Sequence, residues 1–117
     1  MQIHYLEIVT QDVDGVCRAY AGQGAVFGAP VAALGHARTA VLADGSLLGV
    51  RGPLRDTEAP VVRPYWRVQD LDVAVAAVEH SGGTIAVPPT PIPGYGRFAI
   101  YLQGGNDHGL WQPLERA

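Results

Sequence analysis

The sequence predicts an α+β protein built from two tandem βαβββ modules. Three observations carry that expectation. An internal repeat spans most of the chain, each half opens with a strand-then-helix pattern, and turn residues cut the remainder of each half into short strands.

The repeat comes first. A shift of 58 residues sets Asp12–Pro30 on Asp70–Pro88, matching Asp12 with Asp70, Asp14 with Asp72, Ala19 with Ala77, Gly24 with Gly82 and Pro30 with Pro88. A shift of 60 aligns a second stretch, with Leu42 on Leu102, Gly45 on Gly105, Gly49 on Gly109 and Pro53 on Pro113. The change of offset falls within Pro88–Gly96, read as a loop region, where insertions cost little. Composition alone would match glycines and prolines, but not a shared order of elements.

In the opening strand, Ile3–Thr10, Leu6 and Ile8 share one face while Tyr5, Glu7 and Val9 share the other. Pro64–Val68 is its counterpart, with Trp66 and Val68 opposing Arg63, Tyr65 and Arg67. Asp12 and Asp70 then stand as N-caps, whose carboxylates accept from free amides of the first helical turn. Behind them, Val13, Val16, Cys17 and Tyr20 recur at helical spacing, as do Leu71, Ala74, Val75 and Val78. Gly22, Gly24, Gly82 and Gly83 mark the helix ends. Three strands complete each half: about Ala25–Gly28, Arg38–Ala43 and Leu47–Arg51, then Thr84–Val87, Arg97–Gln103 and His108–Gln112. Asp44-Gly45 and Gly104-Gly105-Asn106 read as hairpin turns. One domain follows, with module one at residues 1–52, a linker at 53–61 and module two at 62–117.

Composition narrows the function classes. In 117 residues, 48% are apolar and 16% charged, so the chain can fill a core. A net charge of −3 leaves no basic face of the kind nucleic acid requires. Every apolar run is interrupted well short of a membrane span, and the expected setting is the cytoplasm. Cys17 is the one cysteine, which excludes an intrachain disulfide. It lies on the apolar stripe of the first helix and reads as a buried, inert thiol.

Glu7-Ile8 with Asp12 and Tyr20, Val68-Gln69-Asp70 with Gly82-Gly83-Thr84, Gly94–Ala99 and Gly109-Leu110-Trp111-Gln112-Pro113 together resemble the glyoxalase, bleomycin-resistance and extradiol dioxygenase superfamily, also called vicinal oxygen chelate proteins. The likeness covers nearly the whole chain. It implies curved mixed sheets around a concave small-molecule cavity, with helices packed on the outer faces. Many members hold a divalent metal through His, Gln or Glu on the first and last strands of each module. Aligned on the helices, those positions carry Tyr5, Gly49, Arg63 and Gly109. Glycine has no donor, arginine is cationic and neutral tyrosine is a poor ligand, so no metal and no other cofactor is expected. His4 lies one residue from a ligand position, but turning it inward would bury Glu7 beneath a helix at a cost on the order of several kcal/mol. His36, His80 and His108 read as ordinary solvated or hydrogen-bonded histidines.

Alternation places Tyr5, Glu7, Arg51, Arg63, Tyr65, Arg67 and Trp111 on the concave face as candidate ligand-binding residues, with Arg97 and Tyr101 as further candidates. Aromatic walls with a few polar groups suit a small ligand, and an arginine fork suits a carboxylate or phosphate. Glu7 is the candidate catalytic base. Structural alternatives stand beside each: Glu7 pairing with Arg63 or Arg67, and arginines at a solvated rim. Gly94-Tyr95-Gly96 lacks the following helix that a phosphate loop needs. The proline run Pro88–Pro93 reads as a rigid connection at the cavity mouth.

Three functions fit these residues. One is a metal-free binding protein that sequesters an antibiotic or metabolite, taking a planar or aromatic ligand with an anionic or carbonyl group. Another is a metal-independent isomerase, cyclase or lyase using Glu7 as base. The third is a degenerate regulatory or structural module whose cavity is filled by its own side chains. A homodimer is expected, because small curved sheets with open edges gain stability by pairing. Neither a nucleic-acid nor a membrane partner is expected.

Overall fold

The computed structural model describes residues 1–114, so the last three residues of the expected second module lie outside the described residues. The chain groups into two units: Tyr5–Val62, and Met1–His4 together with the chain from Arg63 on. The class is α+β, and among the described residues each unit carries one α-helix on a mixed sheet.

In the first unit, β1 (Ile3–Val9) leads into α1 (Val13–Ala21), followed by β2 (Arg38–Val41) and β3 (Leu47–Arg51). The strand order is β2-β3-β1. β1 and β3 run parallel with Glu7 opposite Gly49, and β2 and β3 run antiparallel. Asp12 caps α1 by accepting from the Gly15 amide at 3.1 Å. The apolar side of α1 packs Val13, Val16, Cys17 and Tyr20 against Leu6, Ile8, Leu48 and Val50. Cys17 is buried there, which pushes its thiol pKa up and leaves little thiolate.

The second unit repeats the plan with β4 (Val61–Arg67), α2 (Leu71–His80), β5 (Thr84–Ile92), β6 (Gly96–Gln103) and β7 (Asn106–Gln112). Its order is β4-β7-β6-β5, with β4 and β7 parallel and Tyr65 opposite Gly109. Asp70 caps α2 through the Val73 amide at 3.1 Å, and the Gln112 side chain accepts from the Leu71 amide at 2.8 Å. Leu71, Ala74, Val75 and Val78 pack against Trp66, Val68, Ala99, Tyr101 and Leu110. Gly24 and Gly82 take positive φ, 100° and 95°, just beyond the two helices.

Three expectations are corrected. Ala25–Gly28 is not a strand. One backbone bond, Gly28 N to Thr39 O at 2.9 Å, joins it to β2, while the Gly28 carbonyl accepts instead from the Arg38 Nε at 3.1 Å. The guanidinium occupies an acceptor that a ladder would need. A short 3₁₀ turn, Ala32–Leu34, follows, so the first unit has three strands where four were expected. The strand expected at Thr84–Val87 runs on to Ile92 through Pro88, Pro89 and Pro91, which the sequence reading assigned to a connection. β5 ends its sheet and is bulged between Ile85 and Val87 and between Val87 and Thr90, settings that tolerate proline's missing amide hydrogen. Finally, β4 begins at Val61, inside the expected linker.

Because the Asp70 carboxylate is an exposed cap with one geometric task, Asp70→Ala should lower stability by about 1 kcal/mol without altering the folded spectrum. Urea denaturation checks this, and an unchanged midpoint would remove the cap from the account of α2.

Candidate functional site

In each unit the parallel pair of first and last strands sends apolar side chains to the helix and the alternate residues to the opposite face. That second face carries Tyr5, Glu7 and Arg51 in the first unit, and Arg63, Tyr65, Arg67 and Trp111 in the second. Six of these seven are buried, at 2–8% exposure. Arg67 alone among them is exposed.

Glycine explains how the tyrosines fit. A Cβ on Gly49 would overlap the Tyr5 hydroxyl, and a Cβ on Gly109 would overlap the Tyr65 ring. Each ring therefore lies in the space that a side chain on the last strand would occupy. The positions that the superfamily resemblance assigns to metal ligands do not fit a divalent ion in either unit. In the first, Gly49 has no donor and its side-chain space belongs to Tyr5. In the second, Gly109 is covered by Tyr65, and Arg63 donates from Nη2 to Asp107 Oδ2 at 3.0 Å. Among the described residues there is no group of three or more His, Cys, Asp or Glu side chains placed to hold a metal.

Glu7 and Arg51 belong to a buried chain of charge. Arg51 Nε donates to Glu7 Oε2 at 2.9 Å. Its Nη1 and Nη2 donate to Glu58 Oε1 and Oε2, each at 2.8 Å, a two-point fork. The Glu58 hydrogen bonds, against the cost of burial and with Glu7 adding its charge, hold the Arg51 pKa above its ordinary range. Arg51 Nη1 also reaches the Gly52 carbonyl at 3.2 Å, and Glu58 Oε1 accepts from the Leu54 amide at 2.7 Å. The guanidinium thus anchors the start of the linker. Nothing in the alternation pattern pointed to Glu58, because it lies outside every strand. Asp107 was more legible, since the register that sets Tyr65 opposite Gly109 sets Arg63 near Asp107.

Aromatic packing organises the second unit. Trp111 meets Tyr65 edge-on with ring centroids 5.6 Å apart, and Tyr65 meets Phe98 at 6.1 Å. The Trp111 indole donates to the Tyr95 carbonyl at 3.0 Å, which gives the Gly94-Tyr95-Gly96 loop a structural task. Arg97 and Tyr101 turn to the helix side. Arg97 pairs with Asp72 at 3.3 Å, and Tyr101 packs with the α2 core and stacks on His108 at 5.0 Å.

His4 departs from its expected side. Its ring lies 5.4 Å from that of Trp111, although Leu6 and Ile8 keep the helix side. The β1–β3 ladder starts at Tyr5 opposite Leu47, so no β3 pairing dictates where His4 points. Burial first, then the Arg67 charge, push the His4 pKa below 6.5. Arg67 is the register partner of Trp111, so an exposed guanidinium, a buried indole and a half-buried neutral imidazole share one locality of the second unit. Among the described residues Arg67 makes no side-chain ion pair. A separate pocket of about 440 Å³ lies in the first unit, lined by Gln11, Gly52, Pro53, Leu54, Arg55 and Asp56.

Gly109→Ala should cost about 1–3 kcal/mol through overpacking against Tyr65, and the penalty should shrink in a Tyr65→Leu background. Equal penalties in both backgrounds, measured by denaturant titration, would sever the glycine from the ring. A lowered His4 pKa means that the unfolded chain takes up the proton first. The corresponding stability is present above 6.5 and lost as pH falls beneath it toward the folded value. His4→Gln should flatten that part of the stability–pH curve, and an unchanged slope would contradict the assignment.

No protein-family model matches the chain, and no curated protein matches it in sequence. Solved structures do match in fold. A hypothetical protein of Bacillus halodurans superposes with a TM-score of 0.77 at 14% identity, over 99% of this chain and 96% of that one. Methylmalonyl-CoA epimerase of Mycobacterium tuberculosis gives 0.72 at 17% identity, over 97% and 88%. A glyoxalase, bleomycin-resistance and dioxygenase superfamily member of Vibrio splendidus gives 0.64 at 15% identity, over 92% and 96%. The βαββ first unit, the βαβββ second unit, the parallel first and last strands of each and these superpositions agree: the chain has the fold of the glyoxalase, bleomycin-resistance and dioxygenase superfamily.

Proposed function

We propose that the chain is a metal-independent small-molecule-binding protein of the glyoxalase and bleomycin-resistance type, acting as a homodimer in the cytoplasm to sequester a metabolite or antibiotic. The ligand is planar or aromatic and carries an anionic or carbonyl group. The observation that carries this reading is Arg67, a guanidinium exposed beside His4 and Trp111 and without an ion pair among the described residues. Arginine offers five donors in a rigid fork, suited to a carboxylate or phosphate. His4, neutral at pH 7, adds a hydrogen-bonding group without repelling a second ligand charge. Metal independence draws support from Gly49 and Gly109, whose side-chain space the tyrosine rings take. No helix of the described residues is long and apolar enough to cross a membrane. For the dimer, the support is the outer side of β2, where Val41 is 72% exposed, and the neighbouring Val26, 82% exposed.

A second reading has its own observation. Tyr5, Glu7, Arg51, Arg63, Tyr65 and Trp111 are buried, which favours a structural or regulatory module whose ligand face is filled by its own side chains. The enzymatic alternative is weaker. As a base, Glu7 would have to act from within an ion pair to Arg51 that also engages Glu58.

Calorimetric titration with aromatic carboxylates and their neutral amides separates these readings. Arg67→Ala should weaken the carboxylates by about 1.5–3 kcal/mol and leave the amides nearly unchanged. Equal loss for both classes would make Arg67 structural, and no binding by the parent protein would favour the self-filled module. Metal analysis of protein purified without an affinity tag should find well under one transition-metal ion per chain. About one nickel, zinc or iron per chain, released by His4→Gln, would overturn metal independence.

A further inference from the structure

The linker-side pocket of the first unit lies where two neighbouring parallel strands end. β1 and β3 pair from Tyr5 opposite Leu47 to Val9 opposite Arg51, and the Thr10 amide still donates to the Arg51 carbonyl at 2.9 Å. Beyond that bond the chains part. Gln11 leads toward α1, and Gly52 leads into the linker. Crevices at the carboxyl ends of parallel strands, where the continuing chains diverge, are recurrent ligand sites in open sheets. About 440 Å³ of space lies here, within the range of small-molecule pockets.

This wall is fixed from within. Arg51 binds the Gly52 carbonyl and both Glu58 oxygens, and Glu58 in turn accepts from the Leu54 amide. The Glu58 amide closes the turn onto the Arg55 carbonyl at 3.0 Å. A buried clamp therefore holds residues 52–58 in one shape before any ligand arrives, which reduces the ordering cost of binding.

The lining is chemically specific. Arg55 and Asp56 stand next to each other at the pocket, both exposed, and neither makes an ion pair among the described residues. Pro53 and Leu54 add an apolar wall, with Leu54 63% exposed, and Gln11 adds an amide. A simple anion meets Arg55 but is repelled by Asp56, and a simple cation meets the reverse. A ligand with both charges on neighbouring atoms satisfies the two together, and an apolar substituent covers Leu54 and Pro53.

We propose that this pocket is a second binding site, independent of Arg67, for a free α-amino acid with an apolar side chain. Arg55 takes the α-carboxylate, Asp56 the α-ammonium, Gln11 hydrogen-bonds beside them, and Pro53 and Leu54 receive the side chain.

Amide chemical-shift titration of the intact chain tests this with three probes: L-leucine, L-leucinamide, which lacks the carboxylate, and 4-methylpentanoate, which lacks the ammonium. L-leucine should shift the amides of Gln11, Gly52, Leu54 and Arg55, not those of Arg67 and Trp111. Each truncated probe should bind about tenfold more weakly or worse. Arg55→Ala should erase the preference for leucine over leucinamide, and Asp56→Asn its preference over 4-methylpentanoate. Both positions are exposed, so the melting temperature should hold. Three outcomes each overturn the proposal: no shifts with leucine, truncated probes binding as tightly as leucine, or shifts centred on Arg67 and Trp111. Leucine binding that ignores both substitutions does the same.

Discussion

A tyrosine ring laid over a glycine of the neighbouring parallel strand occurs in both units, Tyr5 over Gly49 and Tyr65 over Gly109, and much of what the face opposite the helices can hold follows from it. At these positions a strand residue with a Cβ would collide with the ring. The glycines thus make room for the rings, and the rings remove the room for a liganding side chain. In the second unit the same ring supports Trp111 and Phe98 by edge contacts, so the aromatic packing of that face rests on Gly109 having no side chain.

Charge on this face is arranged by the same economy of space. Arg51 is buried among two carboxylates, and Arg63 is paired with Asp107. Buried guanidinium groups need such partners because desolvation of an unpaired ion costs several kcal/mol. A side chain bound on this pattern shapes backbone more readily than it captures ligand, and Arg51 does so by tying Gly52, Leu54 and Glu58 together. Arg67, at the end of β4, keeps its head in water. Chemistry open to a ligand is thereby pushed to the ends of the strands: Arg67 and His4 in one unit, Arg55 and Asp56 in the other.

Where expectation and structure part, a competing hydrogen bond, a sheet edge or a strand register is the cause. The Ala25–Gly28 strand gives way because Arg38 takes the Gly28 carbonyl. The β5 strand continues through three prolines because an edge with bulges does not need their amides. Arg97 and Tyr101 face the helix because the β6 register with β7 sets Ala99 opposite Leu110, which places alternate residues of β6 with the α2 core.

The amino-acid sequence by itself determined the repeat, the two capped helices, the faces of β4 and of β1 from Tyr5 on, and the class of fold. Those features are local or periodic: a carboxylate three residues before an amide, an apolar stripe at helical spacing, a two-residue alternation. It also determined that Gly49 and Gly109 bring no metal donor, since that is a property of the residue and not of its surroundings. Only the tertiary structure decided which polar groups are consumed. Glu7 accepts from Arg51, 44 residues away, because β3 returns parallel beside β1. Glu58 lies outside every strand and carries no periodic signal, while Asp107 meets Arg63 through the register of β4 with β7. Ion pairs between distant segments depend on distances that alternation does not encode, so pairing belongs to the fold while facing belongs to the sequence.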